Sequence, residues 1–383
     1  MATQGRASAA DMIQLIRDSG PVSRTDLARL SGLAVSTVSL RVEELLAARL
    51  IEEAGDGLSR GGRRPRLLRI RSGGAVVLAA DVGTHHARLA LVDLAGQVVA
   101  THDAQITLSD GPDVVLAEVA SGLDELVAAH GGPDVLGVAM GLPGPVQPDS
   151  GRITSPSRMP GWHGATVGDW LTGRFSVPAL VENDANLLAL GEYRTRSATQ
   201  PLRHLVAVKV GRGIGCGIVA GGSLFYGANG AAGDISHVSV ISASTESARL
   251  CGCGHRGCLE TIASGAALLE ELAAAGQQVD SPAALVELVQ RGDPAANLAV
   301  RTAGWHLGEV LAVVVNFFNP EVLVLGGVLA SADPLVASTR AAIYERCLPM
   351  ASQSVTITTA TSGPDAGLIG AAALLLDRLS QSA

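Results

Sequence analysis

The stretch from His237 to Glu260, HVSVISASTESARLCGCGHRGCLE, is the segment whose reading organises the rest of the chain. Three of the five cysteines, Cys251, Cys253 and Cys258, fall within eight positions and are separated by glycines. Glycine lets the backbone fold sharply, so a Cys-x-Cys-x4-Cys hairpin can aim three thiolates at one centre. One imidazole then completes a tetrahedron. Zn²⁺ prefers this Cys3His set, and a closed four-ligand site is normally structural. Buried free thiols or a disulfide are the alternatives, and the odd cysteine count argues against a disulfide framework. His255 competes for the fourth position, but it lies inside the hairpin, which favours His237. The expected cofactor is structural zinc on His237, Cys251, Cys253 and Cys258.

The other 359 positions surround this hairpin in a chain of 383 residues, long enough for two or three domains with separate cores. The start, Met1 to Arg6, lacks the apolar core of a signal peptide. The most apolar stretch, Leu307 to Ala330, is interrupted by Glu309, Asn316, Asn319, Pro320 and Glu321, which suits a helix–turn–strand unit and no membrane span. Cysteines spaced for metal fit a reducing cytoplasm. The net charge of −8 is uneven: residues 1–72 carry +4 and the remainder −12. A basic first segment on an acidic body implies that only the segment meets a polyanion.

In that segment, Met12, Ile13, Leu15 and Ile16 follow helical spacing, and Gly20-Pro21 ends the helix. Ser23 can cap a second helix, Arg24 to Leu30, which Gly32 terminates. Val35 to Leu46 reads as a third, with Val38, Val42, Leu45 and Leu46 on one face. Two short helices joined by a tight Ser-Gly turn are the helix-turn-helix pattern. Its outward residues, Ser36, Thr37, Ser39 and Arg41, suit base edges and phosphates in a major groove. Two short strands then flank Leu58 to Arg66, a basic tip that makes the head winged. Arg63-Arg64-Pro65 has the thin, extended shape that enters an A·T-rich minor groove.

In the body, the apolar run Ala75 to Ala80 leads into Asp81-Val82-Gly83-Thr84 and an alternating strand Ala87 to Val92. Leu205 to Val210, Gly211-Arg212-Gly213 and Ile214 to Val219 repeat the scheme. Two such units predict a duplicated α/β architecture with a cleft between the halves. Glycine turns of this type let backbone N–H groups approach phosphate oxygens. Val181-Glu182-Asn183-Asp184-Ala185-Asn186 ends a strand and opens a helix, a junction that commonly faces the ligand crevice. There Asn183 offers donor and acceptor and Asp184 accepts from hydroxyls, which fits a polyol; helix capping by Asp184 is the competing role.

Together these motifs resemble the ROK family (repressors, open reading frames and sugar kinases), in its transcription-regulator branch. The resemblance spans essentially the whole chain. It rests on Gly62-Arg63-Arg64-Pro65, Asp81-Val82-Gly83, Gly141-Leu142-Pro143-Gly144, Pro160-Gly161-Trp162, Asn183-Asp184-Ala185-Asn186, Gly213-Ile214-Gly215-Cys216-Gly217 and the cysteine hairpin closing on Glu260. It implies a winged helix-turn-helix (1–72) ahead of an actin-like, sugar-kinase body of two ribonuclease-H-like lobes (75–195 and 196–383). Asn183, Asp184, Asp234, His237 and Glu260 would bind a sugar, with Asp184 the vestigial kinase base. His237 would serve twice, one ring nitrogen on zinc and the other donating to the sugar.

Three positions depart from the kinase pattern. Thr84-His85 replaces a Gly-Thr pair at the first phosphate turn, which counts against ATP. Asp234 stands where the family has glutamate. Lys209 is the single lysine. The expected function is therefore a sugar-responsive regulator, a repressor without kinase activity, binding a palindromic operator as a dimer or tetramer. Its effector would be a sugar or sugar phosphate. The alternative is an ATP-dependent, hexokinase-type sugar kinase carrying a DNA-binding head.

Overall fold

Ser23 sets the start of the helix Arg24–Ser31: its Oγ accepts from the Asp26 N–H at 3.1 Å, and Gly32 ends the helix at φ 70°, in the left-handed region. The computed structural model describes residues 12–13, 15–16, 19–57, 64–71, 75–147, 150–154, 159–242, 244–245 and 248–381. The next helix, Val35–Ala47, buries Val38, Val42 and Leu45 on one side. Strands β1 (Val22–Ser23), β2 (Ile51–Asp56) and β3 (Arg66–Ile70) form an antiparallel sheet in the order β1-β3-β2. A helix-turn-helix followed by a hairpin is thus the head of the molecule.

Two five-stranded sheets built on one plan follow. In the first, β4 (Ala75–Val82), β5 (His86–Asp93) and β6 (Val98–Gln105) are antiparallel, and β7 (Asp134–Leu142) and β8 (Ala179–Asn183) continue parallel to β4, in the order β6-β5-β4-β7-β8. In the second, β9 (Leu205–Val210), β10 (Ile214–Ala220) and β11 (Ser223–Leu224) are antiparallel, and β12 (Val322–Gly326) and β13 (Thr356–Thr359) run parallel to β9. The duplication expected from the two glycine turns is present strand for strand. β4, β9 and β12 are almost wholly apolar because both faces of each sheet are covered.

The head is not an independent bead. Its core residues Met12, Ile16, Leu27, Val38, Leu45 and Leu68 belong to one apolar cluster with Ala75, Val77, Ala90 and Val92 of the first lobe. Asp134 at the start of β7 reinforces this seam, with Arg71 at 3.4 Å and Arg49 at 3.8 Å. The C-terminal helix Ala366–Gln381 also joins that cluster, through Leu368, Ala371, Ala372, Leu375 and Leu376. The end of the chain therefore packs on the first sheet, across the helix Asp184–Ser197. That crossing is tight because Gly191 and Gly370 face the opposing backbone.

Helix Pro294–Phe318 is long and apolar enough to cross a membrane by composition alone. Its Val300, Leu307, Leu311 and Val315 are instead buried in the second-lobe core, against the helix Asp333–Arg346.

Candidate metal centre and ligand cleft

The cysteine hairpin closes as its spacing suggests. One ligand atom from each of His237, Cys251, Cys253 and Cys258 lies within 4.8 Å of all the others. Cys253 Sγ and Cys258 Sγ are 3.7 Å apart, and His237 Nδ1 is 3.4 Å from Cys251 Sγ. With zinc–ligand bonds of about 2.3 Å to sulfur and about 2.0 Å to nitrogen, the edges of a tetrahedron come to about 3.8 and about 3.5 Å. The donor set and its spacing fit a single tetrahedral ion. His255 takes a supporting place, with Nδ1 3.5 Å from Cys253 Sγ. Burial works to raise the Cys253 thiol pKa, but hydrogen bonds from the backbone and ring of His255 and from the neighbouring thiols bring it down to about 6. Burial pushes the neighbouring Cys251 and Cys258 thiols up, so the three do not ionise alike without an ion between them.

The hairpin is tied to the cleft through the backbone. The Glu260 N–H donates to Ser236 O at 2.8 Å, and the Leu259 N–H to Val238 O at 2.9 Å, so the residues on either side of His237 anchor the segment that carries Glu260. Glu260 is buried, and its Oε2 accepts from the Ile214 N–H at 3.1 Å. Asp234 is exposed and accepts from Ser236 Oγ at 3.0 Å. One residue further along β10, Gly215 abuts Ala185, and a side chain there would also reach Asp184 Oδ1. β10 is thus a short bridge from Glu260 to Asp184.

At the strand-to-helix junction it is Asn183, and not Asp184, that caps the helix. Asn183 Oδ1 accepts from the N–H groups of Ala185 and Asn186 at 2.9 and 3.2 Å, and Nδ2 donates to Gly144 O at 2.9 Å. Beneath it lies Glu182, which accepts from the Asn183 N–H, Asn186 Nδ2 and Tyr226 Oη at 2.7, 2.9 and 2.9 Å. Burial raises the Glu182 pKa against the pull of these bonds. Nothing in the spacing of the motif singled out Glu182 as the support of the junction.

Asp184 is paired with Lys209: Nζ is 2.9 Å from Asp184 Oδ2 and 3.3 Å from Asp81 Oδ1. Burial would lower the lysine pKa, but the charges of Asp184 and Asp81 more than reverse that and raise it. The lone lysine was visible in the sequence; its position between two carboxylates from distant segments was not. Close by, Arg212 Nη1 lies 3.4 Å from His85 Nε2, joining the two glycine turns. Both turns also use their own N–H groups, Gly83 to His86 O at 2.8 Å and Gly211 to Gly213 O at 2.9 Å. The His86 ring covers Gly83 so closely that a Cβ there would meet it at 2.6 Å. The Gly83 and Gly211 N–H groups are thus each engaged within their own turn.

On the head, Ser36 and Thr37 are exposed, while Ser39 and Arg41 are half-buried and Arg41 bonds Glu44 at 2.8 Å. Val35 and Leu40 are exposed beside them, apolar residues that the polar reading of this helix passed over. Arg64 is exposed at the entry to β3, whereas Arg63 lies outside the described residues.

The sequence pattern of the ROK family matches residues 77–378. The chain belongs to the ROK family. Among its relatives, the xylose repressor of Bacillus spizizenii is 26% identical over 371 residues, covering 96% of this chain and 94% of the relative. The glucokinase of Halalkalibacterium halodurans is 31% identical over 308 residues, covering 76% of this chain and 92% of the relative. The crystal structure of a ROK-family transcriptional regulator, a homologue of the Escherichia coli Mlc protein, superposes with a TM-score of 0.80 at 28% identity, covering 97% of this chain and 96% of that one. The repressor and the regulator cover nearly the whole chain, the head included. ROK proteins thus include both kinases and regulators, and the activity has to be argued from the residues of this cleft.

Proposed function

We propose that this protein is a sugar-responsive, DNA-binding transcriptional repressor whose kinase-like cleft senses a sugar or sugar phosphate without ATP-dependent catalysis. The observation that carries this reading is a helix-turn-helix head sharing one apolar cluster with a ROK body whose phosphate turns are joined to each other. Asn183, Asp184, Asp234, His237 and Glu260 bind the sugar hydroxyls. His237, Cys251, Cys253 and Cys258 hold zinc, which fixes the hairpin and leaves His237 Nε2 turned away from the thiolates. Ser36, Thr37, Ser39, Arg41, Arg63 and Arg64 meet operator DNA. Arg41 first has to leave Glu44, a half-exposed pair that costs little to break. The protein works in the cytoplasm, as residues 1–72 for the head and two lobes divided near 195.

A homodimer places two heads on a palindromic operator with half-sites about one helical turn apart. Val313, Phe317, Leu348 and Met350 favour self-association. Phe317 is 91% and Met350 84% exposed, and Asn316 bonds Arg346 and Leu348 between them. Exposed apolar groups so grouped mark contact surfaces.

Fluorescence anisotropy of the zinc-loaded protein on DNA from immediately upstream of its own gene tests the proposal, across a panel of sugars and their 6-phosphates. Tight, salt-sensitive binding relieved by one sugar is the expected result. Binding that no sugar alters removes the sensing half of the reading, and no specific binding removes the regulator altogether. In the same assay, Arg63→Ala with Arg64→Ala should weaken operator binding and flatten the log–log salt dependence by up to about two units.

One observation favours a second reading, a sugar kinase with a DNA-binding head: Asp184 sits at the helix start where a base would be needed. A coupled assay on glucose, glucosamine and N-acetylglucosamine separates the two. Turnover abolished by Asp184→Asn would overturn the non-catalytic reading.

A further inference from the structure

Lys209 stands on β9, opposite Gly215 on β10 and beside Gly326 on β12, so nothing on the neighbouring strands obstructs its side chain. It reaches out of the second lobe to two carboxylates from distant segments of the chain. Asp184 opens the helix between the lobes, and Asp81 ends β4 of the first lobe. Asp81 is itself immobilised. A Cβ on Gly367, at the start of the C-terminal helix, would lie 2.5 Å from Asp81 Oδ2, and one on Gly141 would lie 3.5 Å from Oδ1. That close packing at the start of the C-terminal helix holds the Asp81 carboxylate in place. Two fixed carboxylates facing one small, shielded space repel each other unless a cation stands between them.

We propose that Lys209 is a built-in cation that fills the space between Asp81 and Asp184, latching the two lobes together and taking the position that a divalent ion would otherwise hold. The closure of the cleft then needs neither metal nor nucleotide, because the counter-charge is covalently part of the chain. Arg212 on His85 is a second contact across the same gap, one turn away. Two carboxylates with open positions form a hard oxygen site suited to Mg²⁺ or Mn²⁺, and an ammonium between them excludes either ion.

The chain's single lysine makes the test direct. Labelling the full-length, zinc-loaded protein with lysine carrying ¹³C at Cε alone yields one side-chain NMR signal, that of Lys209. In the wild type that signal should stay sharp in millimolar Mn²⁺; paramagnetic broadening of it would place an ion in the gap and overturn the proposal. In Lys209→Met, Mn²⁺ titration followed by electron paramagnetic resonance should reveal one additional site per chain, at least about tenfold tighter than anything in the wild type, since two carboxylates are then left without their cation. Lys209→Arg, which keeps a cation, should gain none. Adding Asp81→Asn to Lys209→Met should remove the new site. A Lys209→Met protein with native circular dichroism and full zinc content that gains no site would refute the idea. Should that variant fail to fold, the wild-type NMR measurement decides alone.

Discussion

Cys253→Ser should give a protein that no longer carries zinc and no longer responds to sugar, while the head keeps its salt-dependent, non-specific affinity for DNA. Three ligands remain, but the closed tetrahedron is broken. In small zinc modules the ion supplies about 10–16 kcal/mol of folding free energy. Here the loss stays local, because the second lobe has its own core running from Val206 through Leu311 to Ile357. What loosens is the segment from Ser236 to Glu260. Its bonds, Glu260 N–H to Ser236 O and Ile214 N–H to Glu260 Oε2, connect the hairpin to β10 and through Gly215 to Asp184. His237 and Glu260 then lose their fixed orientation together, although only one touches the metal cluster. The measurements are metal content by mass spectrometry and anisotropy on operator DNA with and without the effector sugar. A zinc-free variant that still releases DNA normally would break the link between metal and sensing. His255→Ala is the matched control: it should keep most of its zinc, because His255 supports Cys253 from outside the four-ligand set.

The response must also be large enough to matter. Moving a protein from 99% to 1% in its DNA-binding arrangement requires the effector to prefer the other state by about 5.5 kcal/mol. The seam between head and first lobe gives that preference a route. The head's Leu68 and the lobe's Val77 share a cluster, and Asp134 holds Arg49 and Arg71. A head packed in this way would carry any change in the orientation of the first lobe to the DNA-binding helices.

Short-range signals made much of this readable in advance. Ser23, Gly32 and the spacing of Val38, Val42 and Leu45 define the head, because capping and helical periodicity are local. The clustering of the three cysteines was legible for the same reason: glycines and thiols within eight positions admit few arrangements, whereas His237 joins them from fourteen residues before Cys251. Contacts between distant segments were not. Lys209 meets Asp81 across 128 positions, and no local pattern encodes that pairing. From the sequence Asp184 could equally have been the helix cap, and only the structure shows the Asn183 side chain taking that role. The head's continuity with the first lobe was hidden too, since an apolar residue carries no label for the core it will join.

The least legible residues are two helical glycines, and one of them carries the largest expected stability effect. Gly191→Ala should destabilise the protein by about 3 kcal/mol, at the upper end of overpacking costs. In an exposed helix interior the same exchange stabilises by about 0.5–1 kcal/mol, because alanine loses less backbone entropy. At position 191 the sign reverses. An added Cβ would lie 1.9 Å from Ala366 O and 3.1 Å from Gly370 N, and neither is the end of a flexible side chain that could turn aside. The helices Asp184–Ser197 and Ala366–Gln381 would have to separate. That movement would strip contacts from Leu187, Leu368 and Ala371. It would also pull on Glu192, which accepts from the Thr361 and Ser362 N–H groups at 2.9 and 2.7 Å just before the second helix. Gly173→Ala is the control, in a helix where the new methyl meets nothing within 4 Å. Urea unfolding of both variants gives the comparison. A Gly191→Ala protein as stable as Gly173→Ala would mean that the crossing is not close-packed. Because that crossing joins the first lobe to the helix bearing Asp184, a loosened variant should also bind its sugar more weakly, before any residue touching the ligand has been changed.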